Sequence, residues 1–178
     1  MANLPDKALV EATLRGDIGS FMELCERHYP ALVAVANAVV HDRHLAEDAA
    51  QESLAKACSR LPSLSNPACF ASWLATICRN QAHDMARRET RLESLGDRDV
   101  PARDPEPDDD IDVVREAIAG LPPESMEVIY LRYYAELSYE RMSEVLGLSV
   151  QAINGRLRRA KQAIREYLTR KADIGGHR

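Results

Sequence analysis

Between Ser149 and Lys161 the chain gathers Ser149, Gln151, Asn154, Arg156, Arg158, Arg159 and Lys161. Hydroxyls, amides and cations at this density are equipped to hold phosphate. From Ser149 to Lys171 there are seven basic residues against one acid, Glu166, a local charge of +6 inside a protein of net −5. Such a concentration is an electrostatic footprint for a polyanion. A second constellation is acidic: Asp48, Gln51 and Glu52 share one stripe of a helical pattern, opposite Ala46, Ala50, Leu54, Ala57, Cys58 and Leu61. A third lies opposite Phe70, Trp73, Leu74, Ile77, Cys78 and Met85, where the same pattern presents Ser72, Thr76, Arg79, Asn80, His83 and Arg87.

Other chemistries find less support. His41-Asp42-Arg43-His44, followed by Glu47 and Asp48, has the residue types of a metal site, but it falls at a helix start, where acids suit the dipole. No metal site is assigned there. Cys25, Cys58, Cys69 and Cys78 form no CxxC pair, and each sits in an apolar helical pattern, so core positions are expected for all four. A Ser-His-Asp order, a Gly-rich phosphate loop and paired catalytic carboxylates with supporting context are all missing from the sequence. The expectation is a protein that is not an enzyme and needs no cofactor.

The elements that must position these groups are helices. With 46% hydrophobic and 29% charged residues a packed core is expected, while 5% aromatics and only 8 glycines disfavour barrels and sandwiches. Helices are read at 5–15, 19–40, 44–61 and 68–91, then at 112–119, 123–133, 138–146 and 149–171. Asn66-Pro67 is a start signal, Ser138 and Ser149 are plausible N-caps, and Gly147 suits a left-handed C-cap. The last two helices with their Gly-containing turn have the form of a helix-turn-helix. Tyr130, Tyr133, Tyr134 and Tyr139, just before it, are expected to pack the small core there.

Charge divides the chain further. Residues 91–111 carry 3 basic and 8 acidic groups, and Glu93 to Asp110 includes three prolines with little to bury. Such a stretch cannot offset its own ordering entropy. The fold class expected is therefore all-α, two small helical domains (1–92 and 112–178) joined by an acidic flexible linker (93–111), the second containing the helix-turn-helix. The longest apolar run, Ala31 to Val40, is shorter than the roughly 20 residues of a membrane span, and the N-terminus lacks a signal-peptide pattern. A cytoplasmic protein without membrane insertion is expected.

The blocks AEDAAQESLAKA, FASWLATICRNQAHDMARR and LPPESMEVIYLRYYAELSYERMSEVLGLSVQAINGRLRRAK together resemble the extracytoplasmic-function sigma factors of bacterial RNA polymerase. The resemblance covers both domains in order, with a linker between them. It implies that the chain binds core RNA polymerase and directs promoter-specific initiation, melting the −10 element and reading the −35 element. By matching position, Glu47, Asp48, Gln51 and Glu52 would contact the polymerase clamp. The loop Ser63 to Ala68, with Ser63, Ser65 and Asn66, would form a pocket for a base flipped from the non-template strand. Arg79, Asn80, His83, Arg87 and Arg88 would supply the adjoining −10 face, with Asp84 orienting a neighbour.

The same resemblance lays helix 149–161 in the major groove at −35. Forked donors and amides read base edges, which makes Asn154, Arg158, Arg159 and then Gln151 the readers. Ser149, Arg156, Lys161 and Arg165 suit phosphates, which position without specifying. Family members often have a basic residue and a serine where this chain has Asn154 and Gly155, so either the backbone approaches DNA closely at Gly155 or the −35 sequence is unusual. An anti-sigma factor is the implied regulatory partner, and the linker would thread the polymerase's RNA path, the alternative from its composition being a solvated spacer that only keeps the domains apart. The alternative reading is a helix-turn-helix regulator whose N-terminal domain senses a signal or dimerises. A metal- or redox-sensing protein built on the cysteines and His41/His44 is the more distant one.

Overall fold

The structure is a computed structural model that describes residues 4–94 and 109–175. Eight helices make up nearly all of it: α1 (Asp6–Leu14), α2 (Ile18–Val40), α3 (Arg43–Arg60), α4 (Phe70–Ser94), α5 (Asp109–Ala119), α6 (Pro123–Ile129), α7 (Tyr139–Leu146) and α8 (Val150–Gly175). Short 3-10 turns at Leu61–Ser63 and Pro67–Cys69 lie between α3 and α4, and a π-helical turn at Tyr130–Tyr134 follows α6. Among the described residues there is no strand. Helices α4 and α5 run two or three residues into the segment assigned to the linker, whose centre, 95–108, lies outside the described residues.

The local signals act as their chemistry requires. Ser138 Oγ accepts from Arg141 N and Ser149 Oγ from Ala152 N, each at 3.2 Å, which starts α7 and α8 by satisfying free backbone donors. Gly147 ends α7 at φ 65°, a left-handed conformation that a side chain would strain. Asn66 Oδ1 accepts from Ala68 N at 3.1 Å, opening the turn that delivers Phe70 to the start of α4. His41 closes α2 in the left-handed region and Asp42 caps α3 through Leu45 N at 3.0 Å, so the His/Asp run makes a helix–helix turn. Among the described residues no three His, Cys, Asp or Glu converge on a common point.

Helices α1 to α4 enclose one core built on Leu9, Val10, Leu24, Leu32, Phe70, Leu74 and Cys78. The second core holds Leu121, Met126, Val128, Leu131, Met142, Val145, Ile153 and Leu157 of the C-terminal half. It also takes in Ala31, Ala34, Val35 and Ala38 of α2 with Ala71 and Ala75 of α4. The two halves therefore do not stand apart: α6 and the π-turn pack on α2, and α7 packs on α4. Alanine on the N-terminal side lets these backbones approach closely, and the C-terminal side fills the remaining space with larger side chains.

Two sequence expectations need correction. Only Cys78 is a core cysteine; Cys58 and Cys69 are exposed and Cys25 is partly covered. The buried stripe of α3 turns out to be Ala46, Ala49, Ala50, Ser53 and Ala57, one position away from Cys58, because small residues pack α3 close to α2. Of the tyrosines, Tyr130 and Tyr139 lean on the second core, but Tyr133 and Tyr134 are exposed at 53% and 47%. Lys161 Nζ lies 5.2 Å from the Tyr133 ring centre, a cation–π contact on the surface of the domain.

Burial pushes the Cys78 thiol up to about 12, and its Sγ lies 3.3 Å from Leu32 O. A thiol held protonated does not react as a nucleophile. Labelling of the native protein at pH 8 should modify Cys58 and Cys69 within minutes and Cys78 only after denaturation. Prompt native modification of Cys78, read by peptide mass, would contradict this packing.

Candidate nucleic-acid and protein interfaces

The acidic stripe is where the helical pattern puts it. Asp48, Gln51 and Glu52 are exposed on α3, and Glu47 is half-buried beside Arg43, its Oε1 accepting from Arg43 Nε at 2.8 Å. Glu52 has a partner that the wheel does not reveal. Gln81, only 2% exposed on α4, donates its amide N–H to Glu52 and accepts from Lys56 Nζ with its carbonyl. This buried amide ties the acidic helix to the adjoining polar one, and because burial would otherwise strand both of its ends, it fixes their register.

On α4, Asn80, His83, Arg87 and Arg88 are exposed along the outer surface. His83 and Arg87 share a shallow depression of about 400 Å³ with Ala86, Thr90 and Arg91. Asp84 lies on the same surface and accepts from Arg87 at 2.5 Å; that hydrogen bond holds its carboxyl below the usual range and aims the guanidinium. The adjoining loop leaves Ser63, Ser65 and Asn66 exposed, with Ser63 Oγ donating to Arg60 O at 2.7 Å. Arg79 departs from this group. Its Nη2 donates to Glu127 of α6 at 2.7 Å, so it turns toward the C-terminal half.

On α8, Ile153, Leu157 and Ala160 are buried, and Gln151, Asn154, Arg158, Arg159 and Lys161 are exposed, as is Ser149 just before it. Arg156 and Gly155 are partly covered. A turn of α7, the Gly147 corner and this face form one helix-turn-helix with its donors outward. A methyl group placed on Gly155 would meet only the Arg159 guanidinium, at 3.5 Å, an ordinary contact. Nothing inside the folded chain therefore requires glycine there.

A further cluster was not legible in the sequence. Asp6 of α1 accepts from Arg27 at 2.7 Å, sits 2.7 Å from His28 Nε2, and accepts from Arg141 of α7 at 3.2 Å. Arg141 also lies 2.9 Å from His28 Nε2, and His28, 2% exposed, meets the Phe70 ring edge-on at 5.2 Å. Burial raises the Asp6 carboxyl, but the His28 hydrogen bond, the charges of His28 and Arg141 and the Arg27 hydrogen bond outweigh it and hold the group well below the carboxylate range. The partners are far apart in sequence, and no local pattern announces them.

Comparison with known proteins bears on these surfaces. Sigma-70 region 2 matches residues 24–92 and Sigma-70, region 4 matches residues 111–164. A probable RNA polymerase sigma factor, RfaY, of Xanthomonas campestris pv. campestris is 29% identical over 92% of this chain and 46% of its own length. The ECF RNA polymerase sigma factor SigE of Mycolicibacterium smegmatis is 32% identical over 85% of this chain and 62% of its own. The chain thus spans about half to three fifths of these two relatives. In three dimensions it is similar to CnrH, solved in complex with the cytosolic domain of CnrY: TM-score 0.63, 27% identity, 93% of this chain and 98% of that one.

Gly155→Ala should raise the thermal stability of the free protein, by up to about 1 kcal/mol from helix propensity. Duplex binding measured alongside should fall if the backbone at Gly155 approaches DNA. A destabilised variant would mean that Gly155 has a role within the fold that its open surroundings do not show.

Proposed function

This chain belongs to the extracytoplasmic-function sigma factors of bacterial RNA polymerase, and from that premise we propose that it binds core polymerase and directs initiation at its own promoters. The observation that carries this reading is the presence of three separate polar surfaces on one small chain: acidic α3, polar-basic α4 and basic α8. A simple repressor needs only the last. Asp48, Gln51, Glu52 and Glu47 meet the polymerase, where exposed acid speeds docking on a basic partner. Ser63, Ser65 and Asn66 receive a base flipped out of the −10 element, beside Asn80, His83, Arg87 and Arg88. Arg79 joins them once it is released from Glu127.

The α8 face enters the −35 major groove, with Asn154, Arg158, Arg159 and Gln151 on base edges and Ser149, Arg156 and Lys161 on phosphates. The chain does no catalysis of its own and acts in the cytoplasm, where the polymerase is; among the described residues no helix is long and apolar enough to cross a membrane. An anti-sigma factor that covers these surfaces is the expected regulator, consistent with a structural relative captured with a partner's cytosolic domain.

Transcription reconstituted with core polymerase tests the proposal: the chain should co-purify with core and direct specific initiation, and failure of both would overturn it. Asp48→Lys with Gln51→Lys, which spares the Glu52–Gln81 contact, should weaken core binding about tenfold or more, equivalent to about 1.4 kcal/mol, with helicity unchanged. Undiminished binding would dismiss the α3 face. Arg158→Ala should cost about 1–3 kcal/mol in −35 duplex binding and relax specificity at one base pair, whereas Arg156→Ala should weaken all sequences alike and lower the salt slope by about one.

A further inference from the structure

Gln81 is a buried polar side chain on α4, between the buried Cys78 and Ala82. An amide taken out of water at such a place costs free energy unless both of its ends are bonded. Its partners are two charged groups of α3: Nε2 donates to Glu52 Oε2, and Oε1 accepts from Lys56 Nζ. Both of these α3 residues are exposed. The amide therefore stands between an anion and a cation, reached from the core but serving the surface.

Asp48, Glu52 and Lys56 follow one another at four-residue intervals along α3, the spacing at which side chains on a helix meet. A glutamate four residues before a lysine is also the favourable order for an ion pair between the two. Such a pair would lay an ammonium on the acidic stripe and cancel the charge of Glu52. In this chain the Gln81 carbonyl takes the ammonium instead and draws it toward α4. There its charge reaches Asp84, whose carboxyl is held below the usual range by the Arg87 hydrogen bond first, and then by the charges of Arg87, Lys56 and Arg88. The amide N–H meanwhile engages Glu52 through Oε2 and leaves Oε1 for a partner outside the chain.

We propose that Gln81 is a positioning residue for polymerase docking: it separates Lys56 from Glu52 and so keeps the acidic stripe of α3 from neutralising itself. Gln81 is buried and acts only through those two side chains. The inference rests on the docking of α3 on core polymerase proposed above. Exposed charge governs the rate of encounter more than the lifetime of a complex, so the contribution of Gln81 belongs to association.

Stopped-flow association with core polymerase, using the full chain with a fluorophore at its N-terminus, tests this. Gln81→Leu keeps the buried volume, removes both bonds and releases Lys56 to Glu52. At low salt its association rate should fall about threefold or more with helicity unchanged. At roughly 0.5 M salt the difference should shrink, because screening shortens the reach of the stripe. The decisive reading is a double-mutant cycle with Lys56→Gln. Added to Gln81→Leu, it removes the ammonium that covers Glu52 and should return the rate to that of the unmodified chain. Made alone, it should change the rate by much less, since Lys56 is already turned away. A role confined to packing would show no such coupling, because removing Lys56 restores no contact to the seam. Should Gln81→Leu lose helicity, Gln81→Met, whose flexible side chain fits irregular gaps, carries the same cycle. Undiminished association of the Gln81 variant, or an equal gain from Lys56→Gln with and without it, would overturn the inference. An unmodified chain that does not bind core at all would instead remove the docking reading, and this inference with it.

Discussion

Helix α2 is the constraint on which the rest of the structure depends. From Ala31 onward it is buried on nearly its whole circumference: Leu32, Val33 and Ala36, with Leu24 before them, enter the core with α1, α3 and α4, while Ala31, Ala34, Val35 and Ala38 enter the core with α6, the π-turn and α7. A helix apolar all round must be covered on all sides. Its alanines set how near each neighbour can come, and so the spacing of the acidic helix, the promoter helix and the helix-turn-helix about a single axis. Polar chemistry is thereby pushed outward onto three surfaces that do not compete for one another's side chains.

Electrostatics follows this geometry. A net charge of −5 describes no part of the molecule well, since α3 presents acid, α8 presents base, and the ion pairs between the halves consume Arg79, Glu127, Asp6 and Arg141 internally. The sum argues against nucleic acid, while the distribution places cations where a phosphate backbone can meet them. The ion pairs that matter most are partly buried and stay effective at salt concentrations that would screen surface pairs.

Local physics is legible in the sequence, and long-range packing is not. Ser138, Ser149, Gly147 and Asn66 declare themselves because a cap is decided by a few neighbouring backbone groups. Helical periodicity likewise exposes Asp48, Gln51, Asn154 and Arg158. The approach of α7 to α4 leaves no such trace, because alanine suits a solvent face and a tight interface equally well. The exposure of Cys58 escapes the helical pattern for a related reason: on a helix packed through alanines the buried arc is narrow, and one position decides which side a residue takes. Arg79 belongs by periodicity to the −10 face, yet its partner lies 48 residues away, beyond any local pattern.

The amide of Gln81 carries a consequence of another kind. An amide is nearly the same size at both ends and can turn over, offering donor where it offered acceptor. Between Glu52 and Lys56, one helical turn apart on α3, it serves an anion and a cation together. As far as packing is concerned, exchanging those two charges is met by a half-rotation of one side chain, whereas neutralising either leaves an amide end without a charged partner. The α3–α4 seam is thus tolerant of charge order and intolerant of charge loss.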